Sequence, residues 1–84
     1  MKATMDEVFE AIRRERAYQD AKWGTIEQNP HDGRRWLRFV EEEVNEAWCA
    51  ISCAGTCREL LQAASVIVGC LEQHGIVERD TEGR

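Results

Sequence analysis

Six consecutive positions, Glu41-Glu42-Glu43-Val44-Asn45-Glu46, gather four carboxylates. On a helix, residues three and four apart are neighbours, so Glu42 and Glu43 both adjoin Glu46. Like charges at that spacing cost about 0.2–0.5 kcal/mol per pair. A divalent cation between them reverses the sign, and Mg²⁺ in particular prefers carboxylate oxygens while keeping several of its waters. The plainer use of such a run is a solvated, ion-paired face. Arg34, Arg35 and Arg38 lie within two turns, and Arg38 stands four residues before Glu42. The local pattern leaves both uses open. Glu43 also borders the apolar stripe Leu37, Val40, Val44, Ala47 and Ile51, where a carboxylate is less usual than in mid-solvent.

Three helices must position these groups. Thr4 followed by Glu7 is a capping box that opens a first helix over about Met5 to Lys22. Met5, Val8, Phe9 and Ile12 give it an apolar stripe in its first half, and Gly24 closes it. A long connection follows, Gly24 to Asp32, with the chain's one proline, Pro30. With Asp32 as N-cap, the second helix is expected over about Gly33 to Ala54, ended by Gly55. Thr56 then caps a third helix, with Glu59 as its capping-box partner, running to His74 and stopped by Gly75. Drawn this way, Glu46 lies roughly 13 Å and Glu59 roughly 6 Å from the turn at 1.5 Å per residue. The two acids share a level only if the second helix ends earlier or the hairpin splays.

The third helix is apolar nearly all round: Leu60, Leu61, Ala63, Ala64, Val66, Ile67, Val68, Cys70 and Leu71. Such a helix must be buried all round. Two other helices in an 84-residue chain cannot cover it, so a homodimer at least is expected. Trp36 and Trp48 are assigned to packing or to that interface. No alternating strand pattern appears. The expected fold is all-α, one small helical bundle over residues 1–84 completed by dimerisation, with 76–84 a frayed tail.

The net charge of −5 argues against a nucleic-acid partner. The N-terminus, Met1 to Glu7, lacks the apolar stretch of a secretory signal, and Leu60 to Leu71 is too short to span a bilayer. The expectation is a cytoplasmic protein without a membrane partner. The four cysteines, Cys49, Cys53, Cys57 and Cys70, are read as reduced, small packing residues.

Several of these segments together resemble the MazG-like, all-α nucleoside triphosphate pyrophosphohydrolases. Glu42-Glu43-Val44-Asn45-Glu46 is similar to that family's E-E-x-x-E half, and Glu59-Leu60-Leu61-Gln62 stands where it has E-x-x-D. Glu15 to Gly24, with Lys22-Trp23-Gly24 at its end and His31 beyond, resembles the N-terminal part of small phage and mobile-element members. The resemblance covers about Ile12 to Gly75. It implies a dimeric or tetrameric helical bundle that hydrolyses a (deoxy)nucleoside triphosphate to the monophosphate and pyrophosphate. By that resemblance Mg²⁺ is held by Glu43, Glu46, Glu59 and the position of Gln62, and Glu42 orients or activates the attacking water. Arg16, Gln19, Lys22, Trp23 and His31 are then the substrate-binding positions, with Arg16 and Lys22 on phosphates and Trp23 stacked on a base. Gln62 departs from the pattern, because a glutamine oxygen can ligate a hard cation but brings no charge. The competing readings are a weakly catalytic or inactive nucleotide-binding module on the same fold, and a structural helical protein with an acidic face.

Overall fold

A computed structural model describes residues 1–80. Three helices, α1 (Met5–Trp23), α2 (Gly33–Cys49) and α3 (Cys53–His74), account for the ordered framework, and no strand occurs among the described residues. The all-α expectation holds at this level. Of the tail expected to fray, 81–84 lie outside the described residues.

The ends of α1 form as the sequence signals. The Thr4 hydroxyl accepts from the Glu7 N–H, and the Glu7 carboxylate accepts from the Thr4 N–H. Gly24 and Gly75 follow α1 and α3 with φ of 94°, a backbone region that a side chain strains. Asp32 caps α2 by accepting from the Arg35 N–H at 2.8 Å.

The turn between α2 and α3 differs from expectation. α2 ends at Cys49, five residues short of Ala54, and Ser52 rather than Thr56 caps α3. The Ser52 hydroxyl accepts from the Gly55 N–H at 3.0 Å. Gly55 is therefore inside α3, and it does not terminate α2. A Cβ there would sit 3.1 Å from the Ser52 hydroxyl oxygen and 3.3 Å from the Ala50 Cβ, so the glycine makes room for the cap. Thr56 lies within the helix and donates back to the Ser52 carbonyl. Glu59 is thus released from the capping-box role and is free to face α2. Ser52→Ala is expected to cost about 1 kcal/mol of stability, and Thr56→Ala clearly less, in urea titrations of the two variants.

α3 is the spine. α1 and α2 each pack against it and not against one another. Small residues allow the close approach. Ser65 is fully buried, its hydroxyl donating to the Leu61 carbonyl, and Ala63, Val66 and Gly69 are buried beside it. A Cβ on Gly69 would stand 3.1 Å from the Trp36 ring of α2 and 3.2 Å from the Arg16 guanidinium carbon of α1. Both outer helices thus meet the spine at this one residue.

The face α2 turns inward is shifted from the expected stripe. Trp36 and Ala47 are buried, with Val40, Glu43 and Ala50 half-buried along the same line. Leu37, Val44, Trp48 and Ile51 are exposed instead. α3 likewise leaves Leu60, Ile67 and Leu71 open, so it is apolar all round but covered on two sides. The cysteines are also corrected: Cys49, Cys53 and Cys57 are exposed thiols, and Cys70 alone is half-buried. No helix is long and apolar enough to cross a membrane.

The α1–α2 connection is tied down through Gln73 of α3. Its side-chain oxygen accepts from the His31 N–H (3.0 Å) and the Trp36 indole (2.8 Å), while its amide donates to the His31 carbonyl (2.6 Å). The His31 ring stands edge-on to Trp36 and Phe39. The loop is fixed by these bonds and by a turn in which Thr25 and Gln28 bond each other reciprocally.

Candidate metal centre and adjoining clefts

The inward shift of α2 and its early end bring three carboxylates together. Glu43 and Glu46 lie one turn apart on α2, and Glu59 comes from the second turn of α3. One carboxylate oxygen of each lies within 4.8 Å of the others. The mismatch of levels expected for a longer α2 is resolved by its ending at Cys49.

Two observations set this cluster apart from an ordinary acidic face. One oxygen each of Glu43 and Glu59 is buried and has no hydrogen-bond partner. An unsatisfied buried acceptor is costly. Burial also pushes the Glu43 carboxyl up from the usual carboxylate range to about 7, helped by the charges of Glu46, Glu59, Glu15 and Glu42. The ion-paired alternative is not what forms. Ion pairs form at Glu10–Arg13, Arg16–Asp20 and Arg16–Glu72, and no described residue of α2 takes part in one. Three carboxylates with converging oxygens, two of which also carry a buried unpartnered oxygen, are chemically suited to a hard divalent cation.

A cleft beside the cluster lies between α1 and α3, lined by Glu15, Tyr18, Gln19, Lys22, Trp23, Glu43, Arg58 and Gln62. Gln62 and Glu43 both line it. Glu15 and Arg58 were not singled out by sequence. Glu15 is held by Gln19, whose amide donates both to it (3.2 Å) and to the Gln62 carbonyl (3.4 Å). The legible signals were the Glu15–Gln19 and Arg58–Gln62 spacings of four, which put each pair on one helical face.

A second cleft of about 160 Å³ opens on the other side of Gln19 and Trp23, with His31, Trp36 and Phe39 among its walls. Gln19 and Trp23 line both clefts. The expected substrate positions thus fall around two hollows that share Gln19 and Trp23 as walls. Trp23 is 55% exposed, and the Lys22 ammonium rests 4.8 Å from its ring centre.

Comparison with known protein families, with curated proteins and with solved structures returns no match.

Two expected positions stand apart from the carboxylate cluster, although Arg16 is also a wall of the aromatic cleft. The Arg16 guanidinium is buried and spends its donors on Glu72 (2.7 Å), Asp20 (3.0 Å) and Gln19 (3.2 Å), which cross-links α1 to α3. Burying that charge is tolerable because it is fully paired. Glu42 is exposed on the outer side of α2, in a depression shared with Arg38, Glu41 and Asn45, and is not among the three clustered carboxylates.

Proposed function

We propose that this chain is a Mg²⁺-dependent nucleoside triphosphate pyrophosphohydrolase of the MazG-like kind, converting a (d)NTP to the monophosphate and pyrophosphate. The observation that carries the reading is the convergence of Glu43, Glu46 and Glu59 from two helices, with unpartnered buried oxygens on two of them. These three residues, with Gln62 from the cleft that Glu43 also lines, would hold the cation. When bound, the ion neutralises phosphate charge and lowers the pKa of a coordinated water, which is what phosphoryl substrates need most.

The chain's own residues divide the remaining work. The cleft walled by Trp23, His31, Trp36 and Phe39 offers aromatic surface to a nucleobase and keeps water from it. Lys22 lines the neighbouring cleft and supplies positive charge for phosphates. Gln19 lines both clefts and fixes Glu15 near Glu43. Arg16 is withdrawn from phosphate binding in this reading, because its donors are already used. Glu42 is likewise withdrawn from the water-orienting role in this reading, because it is exposed outside the carboxylate cluster.

A homodimer is part of the proposal. The chain exposes 6991 Å², against about 5,100 Å² for a compact monomer of its 9.7 kDa mass. Some of the excess belongs to the extended segment after α3, where Ile76 and Val77 are open. Exposed apolar side chains contribute as well, among them Leu37, Val44, Trp48, Leu60, Ile67 and Leu71 on α2 and α3. A stable dimer buries about 800 Å² per partner, which this face can supply.

Release of pyrophosphate from a panel of NTPs and dNTPs in the presence of Mg²⁺ tests the activity. No release with any of them, while an analogue that cannot be hydrolysed still binds, would leave the binding-module alternative in its place. Gln62→Asp tests the ligand set: a fourth carboxylate is expected to lower the Mg²⁺ concentration for half-maximal activity, on the order of tenfold. An unchanged requirement would remove position 62 from the metal site.

A further inference from the structure

We infer that Arg58 is the anchor for the phosphate chain at the rim of the carboxylate cluster, so that the cleft between α1 and α3 is a subsite for a pyrophosphate-type anion. This rests on the metal reading above and adds a residue that the sequence resemblance does not supply.

Arg58 borders the cluster from both sides. It lines the depression shared by Glu46, Cys49 and Glu59, and it lines the cleft that holds Glu15, Glu43, Lys22 and Gln62. It is the one arginine on either wall among the described residues. Four carboxylates share these walls with it, yet it makes no ion pair with any of them. Arg16, by contrast, has every side of its guanidinium engaged. A planar guanidinium left free beside a cation site matches two oxygens of a phosphate in a fork that an ammonium cannot reproduce. Lys22 stands on the opposite wall with its ammonium over the Trp23 and Tyr18 rings, at 4.8 and 5.8 Å from their centres. The anion would thus be gripped from α1 and α3 together.

The glutamine at position 62 takes on a second meaning here. Arg58 and Gln62 are four apart on α3 and face the same cleft. A carboxylate at 62 would sit where an i,i+4 partner pairs with the arginine. The uncharged side chain leaves the guanidinium available. Because four carboxylates surround the subsite, anion binding should require the cation first.

The test uses the full-length chain, Mn²⁺ uptake followed by electron paramagnetic resonance, and calorimetric titration with Mg-pyrophosphate. Arg58→Ala is expected to weaken pyrophosphate binding roughly 10- to 100-fold, the loss of a charge-assisted pair, and Arg58→Lys by less, since charge stays but the fork goes. Mn²⁺ affinity in Arg58→Ala should hold or rise, because a positive charge next to the carboxylates is removed. A merely structural arginine would weaken both ligands together, and that result overturns the assignment. So does an unchanged pyrophosphate affinity in Arg58→Ala with normal Mn²⁺ uptake. Failure of the unmodified chain to take up Mn²⁺ overturns the metal reading instead.

Discussion

Replacing Glu43 with glutamine is expected to weaken metal binding and, in the absence of metal, to make the protein more stable. Both follow from one side chain. Glu43 is half-buried among Glu46, Glu59 and Glu15, and its pKa of about 7 lies above the ordinary value of 4.5 because burial and those charges penalise its ionised form. The folded chain therefore binds a proton more tightly than the unfolded chain does. The associated stability is fully present below about pH 4.5, is lost as pH rises towards 7, and stays lost above that. Glutamine carries no charge to penalise, so Glu43→Gln in EDTA should melt higher than the unmodified chain at pH 8 and show little difference at pH 4.5. Metal reverses the order. Losing one of three carboxylate ligands should cost on the order of 10- to 100-fold in Mg²⁺ affinity, and with it the stabilisation that a bound ligand confers. Proton and cation also compete in the unmodified protein, so its Mg²⁺ affinity should climb as pH rises to about 7 and then level off. Thermal melts at the two pH values, with and without Mg²⁺, read all of this. Equal melting temperatures for the two proteins at pH 8 in EDTA would mean that the cluster is relaxed by solvent and is no metal centre.

Trp36→Ala should bring the largest loss of stability. The indole is 8% exposed, lies against Gly69, stands edge-on to His31 and Phe39, and donates to Gln73. Truncating a buried tryptophan costs about 3–5 kcal/mol. Small domains have only about 5–15 kcal/mol in all, and each kcal/mol is worth about 4–8 °C at this size. A fall of some 15 °C or more in melting temperature is expected. Trp36→Phe keeps most of the ring but leaves the Gln73 oxygen with one donor fewer, for a loss of about 1–2 kcal/mol. If the alanine variant melted within a few degrees of the parent, Trp36 would not be the centre of the contact between α2 and α3. The consequence reaches the clefts as well, because the ring is a wall of the aromatic one and Gln73 holds the loop through His31.

What the sequence made legible was the number of helices, the outer caps at Thr4, Asp32, Gly24 and Gly75, and the membership of Glu43, Glu46 and Glu59 in one group. The α2–α3 turn was misread for a definite reason. Thr56 and Glu59 satisfy the formal capping pattern, whereas Ser52 is followed at the third position by a glycine that has no side chain to reach back. The chain uses the serine because Gly55 lets the turn close tightly against Ala50. The inner face of α2 was misread by one position. The most apolar stripe, through Leu37 and Val44, suggested the core, but the tryptophan and Glu43 lie on the line that meets α3. Hydrophobicity alone could not choose, since an apolar face left outside counts the same in a helical pattern as one buried within. For Arg58 the sequence offered only its spacing of four from Gln62, and its meaning depends on the carboxylates that surround it in space.

α1 and α2 are limbs on the common trunk of α3, and the loop that joins them is itself pinned to that trunk. The carboxylates of α2 and the aromatic and cationic wall of α1 therefore take their mutual register from α3, through Gln62, Gly69, Glu72 and Gln73. A molecule seated against residues of both limbs would brace them directly to one another without any change in the trunk.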